Sequence, residues 1–176
     1  MTTLAEAEAR LAQLETTANL AWWEMSCDAT DEASAAAEAA SAAYEHALAD
    51  PAVAAAAVAL DASPLEQRRA EVLRLLTAGR QRPAELIDRI VGLETELMAA
   101  HSRYRAVVDG RELDAAAVDR VLAESTDLAE RQAVWTSARR VGGEVADGLR
   151  ELARLRNEAA RAAGYRDHYA MALALD

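Results

Sequence analysis

The apolar residues at the start of the chain recur at steps of three and four positions, and this spacing limits what the chain can fold into. Over residues 4–25 they form one face of a helix of about six turns. Similar spacing returns in later segments that open with capping residues. The clearest start is "SPLE", where Ser63 can cap a helix, Pro64 fits its first position and Glu66 completes a capping box. The pattern predicts an all-α fold of eight or nine antiparallel-packed helices, forming a single unit over residues 1–176.

Residues with special backbone preferences predict where these helices begin and end. Capping residues precede several helical segments, and Gly79 and Gly164 are expected to stop two of them. The caps are Asp28 or Thr30, Asp50, Asp114 and the run 125–127. Asp109–Gly110 is a turn dipeptide after two valines, so a very short strand or a tight turn is expected there. Gly142–Gly143 predicts a break or a close helix contact.

Composition predicts a thin core. Alanine is the commonest residue and phenylalanine is absent. Alanine is the best helix former, but its single methyl group contributes little hydrophobic free energy when it is buried. We therefore expect stable helices packed around few large side chains.

The charge of the chain disfavours several classes of partner, and its sequence indicates where the protein is located. The formal net charge is −11 and every basic residue is arginine, so nucleic acid and anionic membranes are disfavoured as partners. The N-terminus has no signal-peptide pattern, and the most apolar stretch, residues 52–60, is too short to span a bilayer. The single Cys27 cannot form an internal disulfide, which fits a reducing cytosol. The predicted location is cytoplasmic.

The sequence contains no active-site motif. The histidines are His46, His101 and His168, and none has a partner at metal-ligand spacing; the H-E-x-x-H motif is absent. We expect Cys27 to be a buried thiol rather than a nucleophile. The chain has no glycine-rich phosphate loop, and its acidic residues alternate with arginine as on solvated helix faces. No catalytic, cofactor-binding or metal-binding residue is predicted.

The adjacent tryptophans Trp22 and Trp23 are the candidate substrate-contact residues. Neighbouring residues on a helix differ by about 100°, so both cannot face one core. Packing is the simpler interpretation: one ring in the core, the other against a second layer or along a groove. A substrate-groove role for Trp22 and Trp23 is the alternative. Tyr104, Trp135, Tyr165 and Tyr169 are likewise expected to be packing residues.

Four ordered blocks carry a resemblance that covers nearly the whole chain. They are residues 21–33, 104–113, 125–143 and 152–175, with the sequences "AWWEMSCDATDEA", "YRAVVDGREL", "STDLAERQAVWTSARRVGG" and "LARLRNEAARAAGYRDHYAMALAL". Together they resemble the N-terminal portion of M2/M3-type zinc metallopeptidases, and most closely bacterial relatives of angiotensin-converting enzyme (peptidyl-dipeptidase A). The last block is the most specific.

The resemblance implies the lid, or front part, of a mostly helical two-lobed gluzincin peptidase with a deep channel for unfolded peptides. In that family the two histidines of H-E-x-x-H and a downstream glutamate hold zinc, and the glutamate within the motif activates the bound water. No position here matches those residues, so no cofactor is expected in this chain, although zinc and peptide substrates belong to the full-length family. The stretch "MSCDAT" departs from the family pattern and puts a substrate contact there in doubt.

The chain ends on an apolar helix, and we expect Met171, Leu173 and Leu175 to pack on a catalytic body that follows. A fragment, a truncated reading frame and a degenerate homologue all fit this sequence. The chain is expected to be inactive alone and to self-associate weakly through exposed apolar surface. The alternative function is a stand-alone α-helical binding or assembly module derived from such a peptidase.

Overall fold

Helices dominate the computed structural model, which describes residues 2–28, 30–57 and 63–175. Within these ranges the chain forms nine helices and one two-stranded hairpin, which confirms the predicted all-α class. The elements are α1 (Leu4–Cys27), α2 (Asp31–Ala49), α3 (Pro51–Ala55), α4 (Pro64–Ala78), α5 (Ala84–Arg103), β1 (Ala106–Val108), β2 (Arg111–Leu113), α6 (Ala115–Glu124), α7 (Leu128–Arg139), α8 (Val141–Ala162) and α9 (His168–Leu175). The end of the apolar stretch 52–60 lies outside the described residues. No described helix is both long and apolar enough to cross a membrane.

The predicted capping residues start the helices. Ser63 and Glu66 form the reciprocal capping box at α4, with Pro64 in its first turn. Thr30, rather than Asp28, caps α2 by accepting from the Ala33 N–H. The carboxylates of Asp50, Asp114 and Asp127 cap α3, α6 and α7. Local side-chain chemistry therefore sets these boundaries, as the sequence predicts.

The turn dipeptide forms a β-hairpin. β1 pairs antiparallel with β2, with Val108 opposite Arg111. Asp109 and Gly110 both have positive φ, 50° and 75°, as a tight two-residue hairpin turn requires. Ser137 of α7 fixes the hairpin: its hydroxyl donates to the Val107 carbonyl and accepts from the Val107 N–H, both at 2.9 Å.

Two glycines predicted to break a helix do not do so. Gly142 and Gly143 lie inside the first turn of α8, and a Cβ at either would meet nothing within 4 Å. The break falls at Arg140, between α7 and α8. The close approach is instead at Gly148, where a Cβ would lie 2.6 Å from Leu97 Cδ2 of α5. The predicted close contact lies five or six positions too early, because long-range packing, and not the position of glycines in the sequence, decides where helices touch.

The core is divided into small clusters, which agrees with the expected shortage of large side chains. One cluster joins α1, α2, α3 and α4 around Leu11, Leu48 and Leu73. A second joins α5 and α8 around Ile90 and Leu155. A third lies under the hairpin and joins it to α6 and α7. Helix α1 packs mainly on α2, α2 also packs on α5, and α5 packs on α8, so the clusters are arranged along a chain of helix pairs.

Helix α9 finds packing partners inside the described chain. Asp167 caps it by accepting from the Ala170 N–H at 2.8 Å. Met171 is buried. A Cβ atom placed on Gly79 would lie 3.2 Å from the Met171 sulfur and 2.8 Å from Leu175 Cδ1, so both side chains pack closely against Gly79. The expectation that Met171 needs a partner further along is therefore wrong. Leu173 is 65% exposed.

Candidate functional site

An open apolar groove runs between α1, α2, α5 and α8. Its volume is about 470 Å³, within the usual range for small-ligand sites. We call it the Trp22 groove, and it is lined chiefly by the apolar side chains of Trp22, Met25, Val91, Met98, Leu149 and Leu152. Three of these, Trp22, Met98 and Leu149, remain partly exposed. The groove therefore presents apolar surface to solvent.

Helix geometry explains why only one tryptophan faces the groove. Met25 is buried three positions after Trp22, so the two share one face of α1. Trp23 is turned about 100° away and is 64% exposed, against 47% for Trp22. The expectation that one of the pair belongs to the core is wrong, since both rings reach solvent. Of the two candidates, the structure places Trp22 along the groove and Trp23 on the outer surface.

An ion pair is the main polar feature of the Trp22 groove. Arg156 of α8 donates to Glu94 Oε1 of α5 from Nη2 at 2.8 Å and from Nε at 3.2 Å. Both residues line the groove. Both bonds end on the same carboxylate oxygen, so the pair joins α5 and α8 through one contact point. The groove thus combines apolar walls with an ion pair between α5 and α8.

A smaller groove adjoins the first at His101, which lines both. Its volume is about 230 Å³, and its walls include Tyr104 and Trp135. The Tyr104 hydroxyl donates to the Ser137 carbonyl at 2.7 Å. Trp135 is half-exposed, with the Arg139 guanidinium 5.6 Å from its ring centroid. Trp135 and the strongly exposed Tyr169 are therefore less packed than expected, whereas Tyr104 serves as a packing residue.

The histidines and Cys27 do not assemble a zinc site. His46 Nε2 lies 2.6 Å from Asp88 Oδ1, His101 is exposed on α5, and His168 lies at the start of α9. Across residues 2–28, 30–57 and 63–175, no three His, Cys, Asp or Glu side chains are grouped to hold a metal ion. Cys27 is exposed, so the expectation of a buried thiol is wrong. The residues present do not fit the zinc that the family resemblance implies.

Sequence reasoning missed most of the groove. Met98 and Leu149 lie at ordinary core-face spacing in their helices, and no signal in the sequence separates a groove residue from a core residue. Glu94 and Arg156 are 62 positions apart, and each resembles any other charged residue on a helix surface. Only the packing of α5 against α8 brings them together.

Taken together, the fold and the groove define a helical protein with an open apolar cleft. A family model described as angiotensin-converting enzyme, peptidase family M2, matches residues 1–174. The chain therefore belongs to the M2 peptidase family, in agreement with the resemblance of the four sequence blocks. No curated protein and no solved structure matches the chain.

Proposed function

We propose that this chain is the lid and one channel wall of a cytoplasmic M2-type zinc peptidase, and that it does not cleave peptides by itself. The Trp22 groove is the observation that carries the proposal. An unfolded peptide offers apolar side chains to the partly exposed Trp22, Met98 and Leu149. Large aromatic and aliphatic groups dominate the energetics of such contacts. Membership of a peptidase family makes a peptide the expected occupant.

The donor set supports the proposed lack of activity. A catalytic zinc needs three protein ligands and an open position. The sequence has no H-E-x-x-H, and its histidines stand apart in the part of the chain that the structure describes. On this proposal the zinc ligands belong to a catalytic body that is separate from residues 1–176.

A matched pair of variants tests the groove. A fluorescein-labelled nonapeptide rich in leucine and phenylalanine should bind the full chain, as followed by fluorescence polarisation. Trp22→Ala should weaken binding about tenfold, since burying a large side chain contributes more than 1.4 kcal/mol. Trp23→Ala removes the same side chain from the outer surface and should change the affinity less than about twofold. Equal effects of the two variants, or no binding to the wild type, would contradict the proposal.

A separate assay tests the lack of activity. The chain is incubated with zinc and an unlabelled peptide, and the products are followed by mass spectrometry. The peptide should stay intact and no zinc should be retained stoichiometrically. Cleavage that a chelator abolishes, with one zinc bound per chain, would overturn this part of the proposal and point to the histidines.

The second candidate function is a stand-alone helical binding or assembly module. The packing of α9 favours it, because Met171 is buried beside Gly79 without any further partner. Reading the DNA downstream separates the two functions. A continuing or frameshifted H-E-x-x-H supports the peptidase segment, and its absence supports the module.

A further inference from the structure

Helix α1 carries a row of uncharged side chains on the side that faces away from the core. Its core side includes Leu11, Ala18 and Met25, which recur every seven positions. On the opposite side, exposed residues recur at alternating steps of four and three positions, which is the heptad spacing at which helices pair as coiled coils. We call this row the α1 seam, and its members are Ala9, Gln13, Thr16, Leu20, Trp23 and Cys27. Helix α1 therefore has the residue pattern of a helix that packs on two sides.

The large side chains of the α1 seam lie in solvent. Leu20 is 61% exposed and Trp23 is 64% exposed. They are three positions apart, so they adjoin on the helix surface and form one apolar patch. Thr16 and Cys27 extend this patch by one turn at each end. A continuous exposed patch indicates an interaction surface more strongly than a single exposed side chain does.

The α1 seam has no charged residue, although the whole chain carries a formal net charge of −11. Two copies of so acidic a chain repel each other, and like charges that face each other in an interface oppose binding. A surface without charged side chains avoids this repulsion when it meets its own copy. A two-fold interface must be complementary to itself, so the seam suits a second copy of this chain.

The charges beside the seam indicate how two copies are oriented. Arg10 follows Ala9 and Glu24 follows Trp23, and charged residues at such flanking positions set the orientation of helices in coiled coils. When two α1 helices pair antiparallel about a two-fold axis level with Ala18, Arg10 of each copy lies beside Glu24 of the other. Parallel pairing brings no such opposite charges together. The charge pattern therefore favours the antiparallel arrangement.

Both flanking residues can make this contact. Glu24 is exposed and forms no ion pair with another residue that the structure describes. Arg10 donates from Nη1 to Asp50 Oδ2 at 2.8 Å, and its side chain is 51% exposed. A guanidinium group has five N–H donors, so Arg10 can bind a second carboxylate without losing the first.

The same antiparallel register also matches side-chain sizes along the seam. The facing pairs between the two copies are Ala9 with Cys27, Gln13 with Trp23, and Thr16 with Leu20. Each large apolar side chain meets a smaller one, which allows the two helices to interdigitate. Parallel pairing instead places Trp23 against Trp23 and Cys27 against Cys27.

The size of the seam predicts a weak dimer. From Ala9 to Cys27 the helix rises about 27 Å, and with a width of roughly 10 Å the contact covers about 300 Å² per copy. A stable interface buries roughly 800 Å² per partner. The association should therefore be weak and should increase with protein concentration.

We propose that this chain self-associates by antiparallel, two-fold pairing of its α1 seams, with Leu20 and Trp23 buried between the helices and two Arg10–Glu24 ion pairs beside them. The inference goes beyond the proposed peptidase role, because it needs neither the Trp22 groove nor a catalytic body. The seam shares no residue with the lining of that groove.

Sedimentation equilibrium of the full chain tests the apolar contact. Leu20→Glu should weaken self-association about tenfold or more, because each dimer buries two of these side chains. The matched control is Leu65→Glu, which adds the same charge at a leucine of α4 that is 69% exposed. The control should change the association constant less than about threefold.

A second pair of variants tests the orientation through charge. Glu24→Arg replaces two ion pairs with two pairs of like charges and should weaken association about threefold or more. The control Glu15→Arg makes the same change in net charge at an exposed position of α1 outside the seam. Since it lowers the acidic charge of the chain without touching the seam, it should not weaken association.

Disulfide trapping tests the register directly. Cys27 is the only cysteine of the chain, and a disulfide requires Cα atoms about 4.4–6.8 Å apart. Under mild oxidation, Ala9→Cys should form dimers linked between positions 9 and 27 of different copies, as mapped by mass spectrometry. The wild type and Ala133→Cys, a control at an exposed alanine of α7, should form linked dimers much more slowly. This readout reports on α1 alone, so a further contact through Leu173 does not affect it.

Three results would overturn the proposal. They are equal effects of Leu20→Glu and Leu65→Glu, equal effects of Glu24→Arg and Glu15→Arg, and preferred linkage between the two Cys27 side chains. Circular dichroism checks the fold of each variant. If Leu20→Glu or Glu24→Arg does not fold, the Ala9→Cys trapping decides alone, and trapping no faster than in Ala133→Cys then refutes the pairing.

Discussion

Ser137 offers the sharpest stability test, because one hydroxyl makes both hydrogen bonds that join α7 to the edge of β1. Ser137 is buried, and its Oγ donates to the Val107 carbonyl and accepts from the Val107 N–H, each at 2.9 Å. The net contribution of one hydrogen bond to the free energy of unfolding is about 0.5–1.5 kcal/mol, so the loss of two should cost about 1–3 kcal/mol. Ser137→Ala also gains helix propensity, by about 0.5 kcal/mol, which offsets part of this loss.

The adjacent Thr136 supplies the control. It lies on the exposed side of the same helix, and Thr136→Ala gains a similar propensity without removing a bond to the hairpin. The difference between the two variants should therefore be about 1–3 kcal/mol, in favour of Thr136→Ala.

Urea unfolding followed by circular dichroism gives the free energies, with the slope m checked for constancy. Hydrogen exchange adds a local readout, because the Val107 amide should lose protection in Ser137→Ala and keep it in Thr136→Ala. A difference below about 0.5 kcal/mol, together with an unchanged Val107 amide, would refute the role given to the Ser137 hydroxyl.

The remaining predictions concern the core, a cap, pH and association. Leu155→Ala should destabilise the chain by about 2–5 kcal/mol in the same urea assay, because Leu155 is 1% exposed in the α5–α8 cluster; a loss below about 1 kcal/mol would contradict that packing. Ser63→Ala should cost about 1 kcal/mol by removing the capping box of α4, and an unchanged unfolding midpoint would contradict this. The pKa of His168 in the folded chain is lower than its value of about 6.5 in the unfolded chain, so at pH values between the two the unfolded chain binds more protons. The free energy of unfolding should therefore fall as the pH drops through this window. His168→Gln should lose less stability than the wild type between about pH 7.5 and 5.5, and parallel losses would contradict the assignment. Sedimentation at high protein concentration should show weak self-association, and Leu173→Ser should decrease it. A chain that stays strictly monomeric would contradict this prediction.

The sequence predicted local structure well where one side chain acts on the backbone beside it. Ser63, Pro64 and Glu66 start α4 as expected, since a capping box needs residues only three positions apart. Asp109 and Gly110 gave the hairpin turn for the same reason, because positive φ is a property of the residues in the turn. The M2 resemblance likewise rests on blocks within the sequence, and the family match over residues 1–174 confirms it.

Only the tertiary structure decided which helix faces stay open and which charges meet. The packing of α1, α2, α5 and α8 leaves Trp22 along a groove and turns Trp23 to solvent, although both are tryptophans in one helix. A second groove, lined by Glu45, Arg82 and Arg156 among others, joins residues from α2, α5, α8, α9 and the link between α4 and α5. Helical periodicity carries no information about which distant faces pack together. Gly148 rather than Gly142 makes the close contact because Leu97 stands opposite it. Helix starts are local properties of the chain, whereas grooves and charge clusters arise from long-range packing.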